Sequence, residues 1–222
     1  MANPFRHSNL RSSNAPSFPV SNIKRTLDAM SWVKINHFHW HVVDSQSFAL
    51  VIPGFEELAQ EGAYSAEQVY TPTDVEDIVS YAASVCLSST FPSNLLLILF
   101  QRGIDVMVEI DTPGHSSAIF RSHPEHIACP EATPWAQFAG GTFQSSKRMS
   151  SILLHTPPNK EPPAGQLRLA SSSTTNFTAN MIKAVSSMFP SKLFNTGGDE
   201  ININCYVEDK STQEDLGESY LV

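Results

Sequence analysis

Thr196-Gly197-Gly198-Asp199-Glu200 sets two acids directly after two glycines, at the end of an apolar run from Met188-Phe189 through Leu193-Phe194. The run reads as a strand entering a buried sheet. Glycines let a backbone bend sharply or approach a ligand closely. Acids that follow such a strand in a parallel β/α barrel stand where catalytic groups project. Their chemistry there is proton transfer, the work of a general acid and base in a hydrolase. An Asp-Glu dipeptide is equally at home in a solvated turn, so the pair gains meaning only from its company.

Two more strand ends supply that company. Lys34 to Val43 alternates, with Ile35, His37, His39 and His41 on one side and Asn36, Phe38 and Trp40 on the other. It runs into Val42-Val43-Asp44-Ser45-Gln46-Ser47-Phe48. Ile104 to Ile110 reads as a short buried strand closed by Asp111-Thr112-Pro113-Gly114-His115. Histidines repeating along one strand face also suit a metal hydrolase. That reading needs further ligands from later strands, and beyond His115 the chain offers no such set, so packed histidines are the simpler expectation.

The elements that must hold these strand ends alternate. Ser21 can cap a helix reaching about Val33, with Ile23, Leu27 and Met30 on one face. A second helix starts at Thr71-Pro72-Thr73-Asp74, with proline at its first position, and runs through Val75, Ile78, Val79 and Ala82. A third covers roughly Thr175 to Met188. Helix and strand repeated three times is the pattern of parallel β/α architecture. Residues 1–19 are polar, rich in Ser, Asn and Pro, and read as a loose segment. Two stretches, 84–101 and 140–160, carry Ser/Thr/Pro clusters without period, and loops of that length are uncommon in compact domains.

Composition excludes several classes. The 222 residues carry a net charge of −8 and show no basic stripe interleaved with aromatics, which argues against nucleic acid and anionic membranes as partners. The longest apolar run is Leu95 to Phe100, whereas a bilayer span needs about 20 residues. The first residues lack the apolar core of a signal peptide. Cys86, Cys129 and Cys205 have no metal spacing and allow at most one internal disulfide. Asn176-Phe177-Thr178 is a glycosylation sequon, relevant only on a secretory route.

With all three strand-end motifs in order, the sequence resembles the β-N-acetylhexosaminidases of glycoside hydrolase family 20, and its fungal branch most closely. The resemblance covers Phe18 to Ala83, Arg102 to about Phe138, and Glu161 to Cys205. It implies an α/β fold, a partial (β/α)8 TIM barrel spanning roughly the early half, with residues 20–222 as the barrel domain. It implies hydrolysis of terminal non-reducing N-acetyl-β-D-hexosamine residues with retention, and no cofactor or metal. Glu200 is then the proton donor and later base, while Asp199 orients the substrate's 2-acetamido group. Adjacent acids cannot flank a scissile bond from both sides, a difficulty that vanishes when that acetamido oxygen is itself the nucleophile. Asp44 and His115 line the sugar site. Trp40 and His41 read as structural neighbours. The implied partner is an N-acetylhexosamine-containing oligosaccharide or glycan such as a chitin fragment, with a homodimer possible in the complete family enzyme, in a secreted or vacuolar setting.

The chain departs from that family in three ways. The family's first barrel strand ends in Asp-Thr-x-Arg, whose arginine grips sugar hydroxyls; that arginine falls at Ala15 in Ser12-Ser13-Asn14-Ala15-Pro16, so strand and arginine are both expected to be missing. The stretches 84–101 and 140–160 read as translated non-coding sequence foreign to the fold. The sequence reaches Val222 soon after the fourth strand, so the aromatic pocket and the tyrosine that hold the acetamido group, which the family draws from later strands, are expected to be missing from it. The rival reading is therefore an inactive fragment that binds at most a sugar or a partner. Cys129 and Cys205 follow the second and third motif strands, so they are expected on one rim, within about 7 Å between Cα atoms, with Cys86 apart.

Overall fold

The computed structural model describes residues 7–11, 18–86, 100–130, 132, 165–198 and 201–217. Its centre is a four-stranded parallel sheet: β1 (His7–Arg11), β2 (His37–His41), β3 (Asp105–Glu109) and β4 (Phe194–Asn195), neighbours in chain order. Between them run α1 (Val20–Trp32), α2 (Glu56–Gly62), α3 (Pro72–Ala83) and α4 (Ser172–Ser187). α5 (Ile203–Glu208) and α6 (Lys210–Leu216) follow β4. A doubly wound fold would reverse strand order at a switch point. Unbroken sequential order is how a β/α barrel is wound.

β1 corrects the sequence reading. Residues 7–11 are a strand, paired in register with β2 from His7↔His37 to Arg11↔His41. Parallel pairing uses backbone groups, which the polar run His-Ser-Asn-Leu-Arg has like any other. Apolar patterning therefore could not reveal it.

Alternation along β2 and β3 decides where the core lies. Phe38, Trp40, Val106 and Val108 face the helices and are buried, together with Ile23, Leu27, Ile78, Met181, Val185 and Phe189. Trp40 is at the middle, its ring edge-on to Tyr70 at 4.8 Å and to Phe189 at 6.3 Å. The histidines take the opposite, barrel-inward face. α1 begins two residues earlier than its sequence signal, with Pro19 rather than Ser21 at the cap position and no side-chain cap bond. α3 has the expected start: Thr71 Oγ1 accepts from the Asp74 N–H, Asp74 accepts from the Thr71 N–H, and Pro72 opens the first turn.

The two ends of the stretch 84–101 meet at one place. Ser84 O accepts the Arg102 N–H at 3.1 Å and Ala82 O accepts the Ile104 N–H at 3.1 Å, so the end of α3 already adjoins the start of β3. Val85–Cys86 pairs antiparallel with Phe100–Gln101 at that neck. Arg102 locks it, with Nε 2.9 Å from Asp28 and its guanidinium 3.8 Å from the Tyr81 ring centroid. Residues 87–99 and 140–160 lie outside the described residues, as does the rest of 133–164.

Replacing Trp40 by alanine should cost about 3–5 kcal/mol, as for a fully buried aromatic, while Trp32→Ala, at a position 82% exposed, should change stability by no more than about 0.5 kcal/mol. Urea midpoints at equal m-value measure both, and similar losses at the two sites would contradict this packing.

Candidate active site

All four strands run the same way, so their C-terminal ends lie at one edge of the sheet. β2 places His41 opposite Glu109 of β3, which in turn stands opposite Asn195 of β4. The pairing continues past the strands: Ile110 donates to Asn195 O at 3.1 Å and Thr112 to Thr196 O at 2.8 Å. The three motifs recognised in the sequence therefore emerge side by side.

Glu109 ties these ends together beneath the motifs. Its buried carboxylate pairs with His39 Nε2, lies 3.2 Å from His41 Nδ1, and accepts from Asn195 Nδ2 at 3.1 Å. Asn195 Oδ1 then accepts the Gly197 N–H at 3.0 Å, which sets the first turn of the glycine pair.

Above Glu109 stands the pair expected from the sequence. Asp44 Oδ1 lies 2.8 Å from His115 Nδ1 and also accepts the Ser45 N–H at 2.6 Å. Asp44 Oδ2 is 3.6 Å from His41 Nε2. Asp44 emerges after β2 and is held by a short ribbon, Val43–Asp44 against Ser47–Phe48. His115 reaches it from a left-handed backbone conformation, φ 51°, which a non-glycine residue adopts only when its surroundings hold it there. Burial opposes ionisation of Asp44, but hydrogen bonds from His115, His41 and the Ser45 N–H outweigh it and hold the carboxyl well below its ordinary range. Burial likewise opposes protonation of His41; its hydrogen bond to Asp44 and the charges of Glu109, Asp44 and Asp111 prevail and raise its pKa.

Asp111 is the third described acid of the site and was not singled out by sequence reading. Its carboxylate is 2% exposed, accepts the Gly198 N–H at Oδ1 (3.0 Å), and lies 3.9 Å through Oδ2 from His115 Nε2. A Cβ on Gly197 would fall 1.8 Å from Asp111 Oδ1, and Gly197 has φ +66°. The glycine is there because a buried carboxylate occupies the space of a side chain. Asp199 and Glu200 lie outside the described residues. On either side of them, the Gly198 N–H donates to Asp111 and the Asn202 N–H donates to Gln166.

His41, Glu109 and Asp111 each offer a metal-ligand atom within 4.8 Å of the others, and all three are buried. Each is also engaged in an ion pair or hydrogen bond of the network just described, as expected where buried charges compensate one another. A cavity of about 630 Å³ lies elsewhere, along α1 between Phe18 and Trp32, and takes no strand-end residue.

The rim is closed by Cys129–Cys205, with Cα atoms 5.9 Å apart, within the expected reach. It joins the loop after the second motif to α5 after the third. What sequence reading missed is Glu109, Asp111, Asn195 and Gln166. Glu109 and Asp111 sat inside a strand and a motif already read for other residues; Gln166 had no local signal.

The model of the glycosyl hydrolase family 20 catalytic domain matches residues 15–89 and 93–221. The chain belongs to that family. A β-hexosaminidase of Arthroderma benhamiae is 33% identical over 190 residues, 84% of this chain and 25% of the relative. The chitooligosaccharidolytic β-N-acetylglucosaminidase of Bombyx mori is 30% identical over 88% of this chain and 27% of its own length. Among solved structures, the family 20 chitobiase of Flavobacterium johnsoniae superposes with TM-score 0.67 and 25% identity, covering 95% of this chain and 26% of that one. The family 20 exo-β-N-acetylglucosaminidase of Vibrio harveyi, at 19% identity and TM-score 0.64, shares the fold. These neighbours establish the partial TIM barrel. The chain spans about a quarter of the length of the first relatives it matches.

Two outcomes follow from the geometry. Asp44 has a folded-state pKa below its ordinary 3.8, so its contribution is present above that value and lost as pH falls through the folded value. His41 is raised above 6.5, so its contribution is present below 6.5 and lost as pH rises through the folded value. Stability by urea titration should peak between these limits, and Asp44→Asn should flatten the acid limb; a flat wild-type profile would count against the network. Gly197→Ala should cost roughly 1–3 kcal/mol as overpacking, and an unperturbed urea midpoint would show that Asp111 does not fill that space.

Proposed function

We propose that the site of this chain hydrolyses terminal non-reducing N-acetyl-β-D-hexosamine residues by a retaining, substrate-assisted route. The observation that carries the reading is the Asp44–His115 pair meeting the Asp111-bound Gly197–Gly198 turn at the C-terminal edge of sequentially wound parallel strands. Asp199 and Glu200 come directly after that turn.

In the first step the 2-acetamido oxygen attacks the anomeric carbon. The bond to the leaving oxygen breaks, and Glu200 transfers its proton to that oxygen. Asp199 accepts a hydrogen bond from the acetamido N–H and offsets the positive charge of the oxazolinium. In the second step water attacks the anomeric carbon, Glu200 takes its proton, and the acetamido group is restored. Two inversions give retention. Asp44 and His115 line the sugar site, and the strong ionisation of Asp44 supports His115 as a fixed hydrogen-bonding group beside the acids.

Chitin fragments fit as substrate, in keeping with the name of the Bombyx mori relative. Relatives from Felis catus and Homo sapiens are named as β-hexosaminidase subunits, which supports assembly of the complete enzyme as a dimer. The Cys129–Cys205 disulfide fits a secreted or vacuolar setting, where such bonds persist. Among the described residues no helix is long and apolar enough to cross a membrane. A second reading, a module that binds sugar without cleaving it, draws on Ala15 standing where the family has its hydroxyl-gripping arginine.

Turnover of an aryl N-acetyl-β-glucosaminide by the 222-residue chain separates the two readings. In the catalytic reading Glu200→Gln loses roughly 10²–10⁴-fold on poor leaving groups and far less on very good ones, and Asp199→Asn falls most on substrates bearing the acetamido group. Equal loss of Glu200→Gln on both leaving groups would remove Glu200 as the proton donor. Binding without turnover would favour the module.

A further inference from the structure

Residues Gly165 to Arg168 form a rung between the second motif and the segment that follows the third. Gln166 and Leu167 pair antiparallel with Ala128 and Ile127. The Leu167 N–H donates to Pro113 O at 2.9 Å, inside the Asp-Thr-Pro-Gly-His motif. Leu167 O accepts the Tyr206 hydroxyl at 2.6 Å, and Arg168 grips Asp209 with two bonds of 3.0 and 3.1 Å. Gly165, at φ +140°, lets the rung approach; a Cβ there would lie 2.9 Å from Ile127 Cγ2.

On this rung Gln166 is fully buried, and its carboxamide spends both ends on one residue. Nε2 donates to Asn202 O at 2.8 Å, and Oε1 accepts the Asn202 N–H at 2.9 Å. A primary carboxamide thus gives Asn202 the two bonds that a neighbouring strand would give. Asn202 is itself 2% exposed, so without Gln166 a buried N–H and C=O would each lose a partner. Asn202 also starts α5, its Oδ1 accepting the Cys205 N–H at 3.3 Å. In sequence, Asp199 and Glu200 are therefore bracketed by two side-chain anchors: Asp111 on Gly198, one residue before Asp199, and Gln166 on Asn202, two residues after Glu200.

We propose that Gln166 is a positioning residue for Glu200, fixing the proton donor through the backbone of Asn202; this rests on the hydrolytic reading above. A displacement of about 1 Å in such a group can cost roughly 10²-fold in rate. The role requires a side chain that donates and accepts at once. Glutamate can do so only when protonated, because its carboxylate accepts but has no proton for Asn202 O.

The test uses the full chain with two variants, an aryl N-acetyl-β-glucosaminide as substrate, and N-acetylglucosamine thiazoline as a mimic of the cyclised intermediate. Gln166→Leu should lower kcat by roughly 10²-fold with KM within about threefold. Gln166→Glu should show a similar loss at pH 7.5 and recover most of it at pH 4.5. Wild type at each pH serves as the control for the charged and titratable groups that surround the rung, namely Arg168, Asp209, Glu125 and His126. If Gln166→Leu does not fold, the pH ratio within Gln166→Glu decides alone. Wild-type turnover with variants that keep full kcat, or a Gln166→Glu deficit equal at both pH values, overturns the positioning role and leaves the hydrolytic reading intact. A wild-type chain that neither turns over substrate nor binds the mimic overturns the hydrolytic reading, and the positioning role with it.

Discussion

The buried carboxylate of Glu109 is the constraint on which the site depends. It stands at the last paired residue of β3, with His41 of β2 on one side and Asn195 of β4 on the other. A charge buried this deeply is costly unless several polar groups meet it. His39, His41 and Asn195 do so, and each comes from a neighbouring strand. Satisfying one carboxylate thus fixes the relative height of three strands. Because side chains alternate along a strand, a slip of one residue would turn every histidine outward and every core aromatic inward.

From that level the site is built as a chain of shared acceptors. His41 lies between Glu109 and Asp44, and Asp44 holds His115. His115 lies near Asp111, which holds Gly198. Each carboxylate faces at least one histidine or backbone N–H, so charge is distributed rather than left unpaired. The glycine pair then needs no flexibility argument. Gly197 is small because Asp111 is where its side chain would be, and its positive φ is what glycine tolerates without strain.

A second set of bonds ties together the segments that follow the motifs. The disulfide, the Arg168–Asp209 pair and the Gln166–Asn202 clasp all join the loop after the second motif to the helices after the third. The neck at Ser84 and Arg102 does the corresponding work at the opposite end of β3, where α3 hands over to the strand by direct hydrogen bonds. The register of β3 is therefore set by bonds between residues on either side of that neck.

The sequence alone determined what local pattern can carry. Alternation in Lys34–Val43 assigned Phe38 and Trp40 to one face and the histidines to the other, and Pro72 at the first helical position placed the start of α3. Three ordered motifs marked the family and brought Asp44 and His115 forward together. Tertiary structure decided the rest. β1 was invisible because a polar strand held by backbone pairing has no apolar signature. Glu109 and Asp111 read as ordinary acids until neighbouring strands supplied their partners. Gln166 gained meaning only from Asn202, 36 residues away. Local propensities are set by a residue and its near neighbours, whereas the worth of a buried polar group is set by what the fold brings to meet it.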